Sequence, residues 1–277
     1  MIFLIFLFLL ACGSTLESQS SPAERQLSPI KEKDGSLFLH VPAGKYLIGS
    51  DDPDALLDEG PEFEQEIKEF YLQQFEISNQ QYADFLNKTG LSLSDTTRYI
   101  GLRGTSARPS EIAYTGTRFR ASFGYEDHPV ATVNYSGARI YCEWLGGRLP
   151  TEFEWEAAAY DLRTLSWEEP EKEAQCHKEW SYGGKMPVVS IGTFSPSALG
   201  FYDLLGNVAE ITSSEYLLYP SSQNLATLDL WKRKVIRGGD WNTRKEQVRA
   251  TSRKGIRLQT RGFFEGGVGF RCAKDIP

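Results

Sequence analysis

The chain has 277 residues, a formal net charge of −7 and 40% hydrophobic residues. That length suits one large domain or two small ones. The acidic balance gives no global electrostatic reason to seek nucleic acid or anionic lipid, so no nucleic-acid partner is expected.

Met1 to Ala11 form an unbroken apolar run that closes on Leu9-Leu10-Ala11-Cys12, which resembles the lipobox of bacterial lipoproteins. The run is far short of the roughly 20 residues that cross a bilayer as a helix. Residues 1–11 are therefore expected to be a lipoprotein signal peptide, with Cys12 as the lipidation site. An ordinary cleaved signal is the alternative, since the usual basic start is missing. Two or three acyl chains on Cys12 would anchor the protein to a membrane of the bacterial cell envelope, where a single chain would hold only marginally. Residues 12–36, rich in Ser, Glu, Gln, Lys and Pro, read as a lipidated flexible tether, and residues 37–277 as the folded domain.

Leu37 to Ile48 is rich in β-formers and reads as strand broken by a Pro42-Ala43-Gly44 turn, and Ile67 to Ile77 as a further strand. Ser78-x-x-Gln81 is a capping-box pattern; Tyr82, Phe85 and Leu86 follow at helical spacing, and Gly90 closes the helix. Ser136, followed by Tyr141, Trp144 and Leu145 and a Gly146-Gly147 stop, predicts a second helix. Thr151-x-x-Glu154 starts a third, which continues through Trp155 and the alanines toward Tyr160. Beyond Asp161 only Lys234–Arg237 and Gly267–Cys272 look like strands, so most of the second half is expected to be loop. No fixed-period repeat suggests a solenoid or propeller. Irregular backbone must satisfy its polar groups through side chains, water or ions. Buried polar side chains, a cystine or bound calcium are the staples such a chain would use.

If Cys12 carries lipid, Cys142, Cys176 and Cys272 remain, which allows one disulfide and one spare thiol without deciding the pairing. No Cys-x-x-Cys suggests a zinc or redox motif, and His40, His128 and His177 lie too far apart for local metal-ligand spacing. His128, Trp144, Trp155 and Trp241 read as core and structural residues. Glu152 and Glu154 read as helix-start residues that complement the helix dipole. Arg244-Lys245 and Arg253-Lys254 read as solvated faces.

Eight blocks occur in a distinctive order: Val41 to Ser50, Phe75 to Tyr82, His128-Pro129-Val130, Tyr141 to Trp144, Gly147 to Glu152, Gly206 to Glu210, Arg237 to Trp241 and Gly269 to Cys272. In that order they resemble the formylglycine-generating enzyme family, the sulfatase-modifying-factor domain, across roughly Leu37 to Asp275. The resemblance implies an α+β fold: a single compact domain with little regular secondary structure, related to C-type lectins. Catalytic members of the family oxidise a sulfatase cysteine to formylglycine with copper and oxygen, and bind copper(I) through two thiolates, a soft ion on soft ligands.

Those thiolates should fall between Asp240 and Ala250, where this chain has no cysteine. The first corresponds to Thr243, the second has no counterpart in the shortened loop Lys245 to Val248, and Asp240 replaces a family serine. Copper-dependent oxidation is therefore not expected, and no catalytic residue is assigned. Cys142 and Cys272 occupy the positions of a family disulfide, which would close a loop of about 130 residues and contribute on the order of 4 to 5 kcal/mol. A second family disulfide would fall at Ala159 and Ala250, both partners absent together. The resemblance also implies a structural calcium held by the side chains of Asp203 and Glu210 and the carbonyls of Gly206 and Val208. A further family calcium site would fall within Asp161 to Gly184, which diverges too far to assign ligands.

Together these readings describe a lipid-anchored envelope protein whose domain acts as a non-oxidase binding or scaffold module, with a protein or glycan partner. The alternatives are a metal-dependent oxidase or sulfatase-maturation-type enzyme with an altered site, and a carbohydrate-binding surface protein.

Overall fold

The computed structural model describes residues 26–102, 110–164, 188–220, 233–257 and 267–276. In chain order the strands are β1 (Ile30–Lys31), β2 (Leu37–Val41), β3 (Gly44–Ile48), β4 (Phe63–Ile67) and β5 (Phe70–Gln73). Helices α1 (Asn79–Thr89) and α2 (Leu93–Thr96) follow, then β6 (Ile112–Tyr114), β7 (Phe119–Ala121), α3 (Tyr135–Trp144) and α4 (Glu152–Ala158). The last strands are β8 (Ala209–Glu215), β9 (Arg233–Arg237), β10 (Arg253–Arg257), β11 (Val268–Gly269) and β12 (Ala273–Asp275).

One sheet runs β1-β2-β5-β12, with antiparallel neighbours throughout; another runs β10-β9-β8-β11, where β11 joins β8 in parallel. β3-β4 and β6-β7 are separate hairpins. Low regular content around a single core is the α+β architecture that the sequence implies.

The helix starts follow their capping chemistry. Ser78 and Gln81 close a full capping box on α1, and Gly90 ends it at φ 66°, a left-handed value natural to glycine. Thr151 and Glu154 do the same for α4. The helix signalled by Ser136 begins at Tyr135, because the Asn134 side chain accepts from Gly137 N and is the cap, two residues before Ser136.

Three expectations need correction. Residues 26–36 are not all tether: β1 pairs with β2, Leu27 and Ile30 pack on the core, and Asp34 accepts from the Tyr141 hydroxyl at 2.6 Å. The strand expected over Ile67–Ile77 is split, with β4 ending at Ile67 and β5 covering only Phe70–Gln73. The second half is also more regular than its composition suggests, since β8, β9 and β10 pair antiparallel in one sheet, with a register shift between Ile211 and Glu215. Short, polar strand sequences such as Ala209–Glu215 hide their pattern because buried Thr212 satisfies its hydroxyl on Val235 O at 2.9 Å.

The core has two apolar clusters. One gathers Tyr82, Phe85, Tyr141 and Phe270, with Tyr82 and Tyr141 stacked at 5.6 Å. Within it the Cys142–Cys272 disulfide, Cα–Cα 5.4 Å, ties α3 to the segment that enters β12. The other cluster centres on Phe70, Trp155 and Phe201 and contains both Ala159 and Ala250, where the family resemblance had placed a second bridge.

Candidate functional site

β9 ends on Arg237, a fully buried guanidinium that donates to Glu156 and to the carbonyls of Ala250 and Thr251, each at 2.9 Å. The chain then turns through Gly238 and Gly239 at φ 85° and 73°. A Cβ on Gly238 would meet the Leu204 carbonyl oxygen at 2.4 Å, so backbone packing and conformation both demand glycine there. Gly206 N donates to Gly238 O at 2.9 Å, which pins the turn to the Asp203–Glu210 loop.

This turn delivers Asp240 and Thr243 to the wall of a cavity of about 420 Å³. Leu56, Ala209, Ile236 and Val268 supply its apolar lining. The Thr243 hydroxyl donates to Asp240 Oδ1 at 2.7 Å and accepts from Asp240 N at 2.9 Å. The residue at the expected thiolate position is thus closed into a tight turn with a carboxylate. Burial pushes the Asp240 carboxyl above its ordinary range, while the Thr243 hydroxyl opposes the shift.

The loop of residues 51–61 contributes Leu56 to the lining. Buried Glu59 holds it by accepting from Arg249 Nη2 at 2.7 Å and Thr251 Oγ1 at 2.6 Å. Arg253, which also lines the cavity, is 4% exposed and so is not on a solvated face. It donates to Glu152 Oε1 at 2.9 Å and to Leu217 O at 2.8 Å, and stacks over the Tyr219 ring at 4.1 Å. Glu152 therefore does more than complement a helix dipole: burial raises its carboxyl, and the Arg253 charge draws it back. Glu154 keeps the expected capping duty and adds a two-point pair with Arg148 at 2.7 and 2.8 Å. Arg244 and Lys254 are exposed as expected.

The proposed calcium ligands lie on the buried side of the same turn. Asp203 sits at φ 54° and accepts from the Gly192 and Phe194 amides. Glu210 receives Arg271 Nε and Nη2 at 2.7 Å each, and the Trp155 indole N–H at 2.7 Å. Both carboxylates are therefore spent on protein donors, and a cation at Glu210 would face a guanidinium. A calcium ion bridging Asp203 and Glu210 does not fit this arrangement, and Gly206 and Val208 remain as loop backbone. Among the described residues no group of three His, Cys, Asp or Glu side chains could hold a metal.

The loop is held instead by Glu76, which accepts from Asn207 Nδ2 at 2.8 Å and Val208 N at 3.3 Å. Burial, then the Asp203 and Glu210 charges, push the Glu76 carboxyl well above its usual range against Arg271 and Asn207. Sequence reasoning gave no role to Glu76, Glu156, Arg237 or Arg271. The available signal was a charge set among apolar neighbours, as in Trp155-Glu156-Ala157 and Val235-Ile236-Arg237.

Trp155 is core and hydrogen-bonded as expected, Trp144 packs at the core edge under Lys33 at 4.1 Å, and His128 is half-buried. Trp241 is fixed through its backbone N–H to Asn207 O at 3.0 Å. Cys12, Cys176 and His177 lie outside the described residues, as does most of the segment expected to hold a second calcium.

The profile of the family described as "Sulfatase-modifying factor enzyme 1-like domain" matches residues 24–276. The chain belongs to this family. Relatives of the sulfatase-modifying factor domain include the bovine (Bos taurus) formylglycine-generating enzyme, 27% identical over 92% of this chain and 78% of that protein. The bovine protein named "Inactive C-alpha-formylglycine-generating enzyme 2" is 28% identical over 85% of this chain and 87% of its own length. Among solved structures, PvdO from Pseudomonas aeruginosa shares the fold with a TM-score of 0.68 at 22% identity, covering 92% of this chain and all of that one.

Proposed function

We propose that this chain is a non-oxidase binding or scaffold member of the sulfatase-modifying factor family, held on a membrane of the bacterial cell envelope by lipid on Cys12, with a protein or glycan partner. The observation that carries the reading is Thr243. The family resemblance assigns Thr243 to the first thiolate position, its hydroxyl is bound into a turn with Asp240, and no cysteine occurs between Asp240 and Ala250. Copper(I) favours sulfur ligands, and a threonine hydroxyl does not replace them. A relative of similar coverage that is itself named inactive supports a family in which the scaffold outlives the oxidation. No helix among the described residues is long and apolar enough to cross a membrane; the anchor proposed here rests on the lipobox-like Leu9-Leu10-Ala11-Cys12 alone.

The test is an oxidation assay. Purified protein, loaded with copper(I) and given oxygen and a cysteine-containing sulfatase peptide, is expected to leave the peptide unchanged by mass spectrometry. Stoichiometric copper with conversion of the cysteine to an aldehyde would overturn the reading.

A further inference from the structure

The cavity beside Thr243 combines polar groups with an apolar wall. Arg244 is exposed on its lining, and among the described residues no group accepts from its guanidinium. Among the described residues the side-chain amides of Asn242 and Gln247 have no partner either, and the Asp240 carboxylate receives Asn242 N and the Thr243 hydroxyl on Oδ1, with no hydrogen bond to Oδ2. Lys254 adds a second positive charge to the lining. Ile236 and Val268 give a branched aliphatic surface, and exposed Leu57 and Leu217 lie near it, since Asp58 O and Leu217 O both accept from Arg253.

This chemistry selects a ligand. A guanidinium fork matches a carboxylate or a phosphate. Asp240 in the same cavity repels a multiply charged phosphate but accepts well from an N–H, so a singly charged carboxylate with a neighbouring N–H is favoured. The volume suits a molecule of small-ligand size.

We propose that the cavity binds an aliphatic α-amino or α-acylamino carboxylate, with its carboxylate on Arg244, its N–H on Asp240 and its branched side chain against Ile236 and Val268. A free amino acid and the C-terminal residue of a peptide share this chemistry. The proposal rests on the binding-module reading and gives it a ligand class.

The test is calorimetric titration of the full chain in detergent with N-acetyl-L-leucine, N-acetyl-L-leucinamide, 4-methylpentanoic acid and L-leucine. N-acetyl-L-leucine or L-leucine is expected to saturate at one site, the acetylated form binding more tightly if the source is a peptide terminus and the free form if it is an amino acid. Removing the carboxylate charge, as in the amide, or the N–H, as in 4-methylpentanoic acid, should weaken binding by about tenfold or more. Arg244→Met should cost the acid a similar factor while leaving the amide unchanged. Equal binding of acid and amide, or no saturable binding by any of the four, would overturn the inference. If that happens while the copper assay still yields no aldehyde, only the ligand class is lost; aldehyde production would overturn the binding-module reading itself.

Discussion

Two polar regions grow from the β8–β9 ladder, and they treat charge in opposite ways. On the buried side, Arg237 meets Glu156 and Arg271 meets Glu210, with every one of these side chains at most 1% exposed. From Gly239, two residues beyond Arg237, the chain lines the cavity, and there Arg244 and the amides of Asn242 and Gln247 have no partner among the described residues. A buried charge left unpaired costs several kcal/mol, so the first region must be complete for the chain to fold. An exposed group can wait for a ligand at little cost. The same ladder thus supports a staple on one side and a site on the other, and substitutions should separate them.

The largest effect is expected from Arg271→Met, which strands Glu210 in the core beside Trp155. Urea denaturation should register a loss of about 3 to 5 kcal/mol. A loss under about 1 kcal/mol would mean that the buried pair contributes little, and the contrast between the regions would fail.

A smaller effect follows from Glu76. Its folded carboxyl is held well above 4.5 by burial and by the Asp203 and Glu210 charges, so the native state keeps a proton that the unfolded chain gives up. That contribution is fully present below the ordinary carboxylate range and is lost as pH rises through the raised value. Melting temperature should therefore fall over this window, with Glu152, Asp203 and Asp240 pushing the same way. In Glu76→Gln the fall should be shallower, because one of the releasing groups is gone. An unchanged pH slope would remove Glu76 from the staple.

Smallest of all should be the stability change in Arg244→Met, within about 0.5 kcal/mol by denaturation, since among the described residues no bond to its guanidinium is lost. Chelation by EDTA should likewise leave the melting temperature unmoved, because the Asp203 and Glu210 carboxylates are already engaged by protein donors. A drop of several degrees that calcium restores would show an ion contributing to the fold.

The two regions also differ in how legible they were. The helix caps at Ser78 and Thr151 are local patterns, and they stand where the sequence put them. The Cys142–Cys272 bridge was readable through family resemblance, because two cysteines and their flanking blocks survive together. The buried network was not, because Glu76 meets Asn207 across 131 residues and Arg237 meets Glu156 across 81. No local spacing encodes such partners. Arg253 was misread for the same reason: adjacent basic residues resemble a solvated face until a distant Glu152 and Tyr219 enclose one of them. Thr243 was placed by its distance from Gly239, yet its turn with Asp240 appeared only in the structure.

The most direct test of the division between staple and site is chemical-shift mapping by NMR during titration with N-acetyl-L-leucine. The account predicts saturable shifts at Gly239–Arg244, Gln247 and Ser252–Lys254, with the Trp155 indole N–H unmoved. Shifts centred on Trp155 and Arg271, with the cavity residues silent, would contradict it.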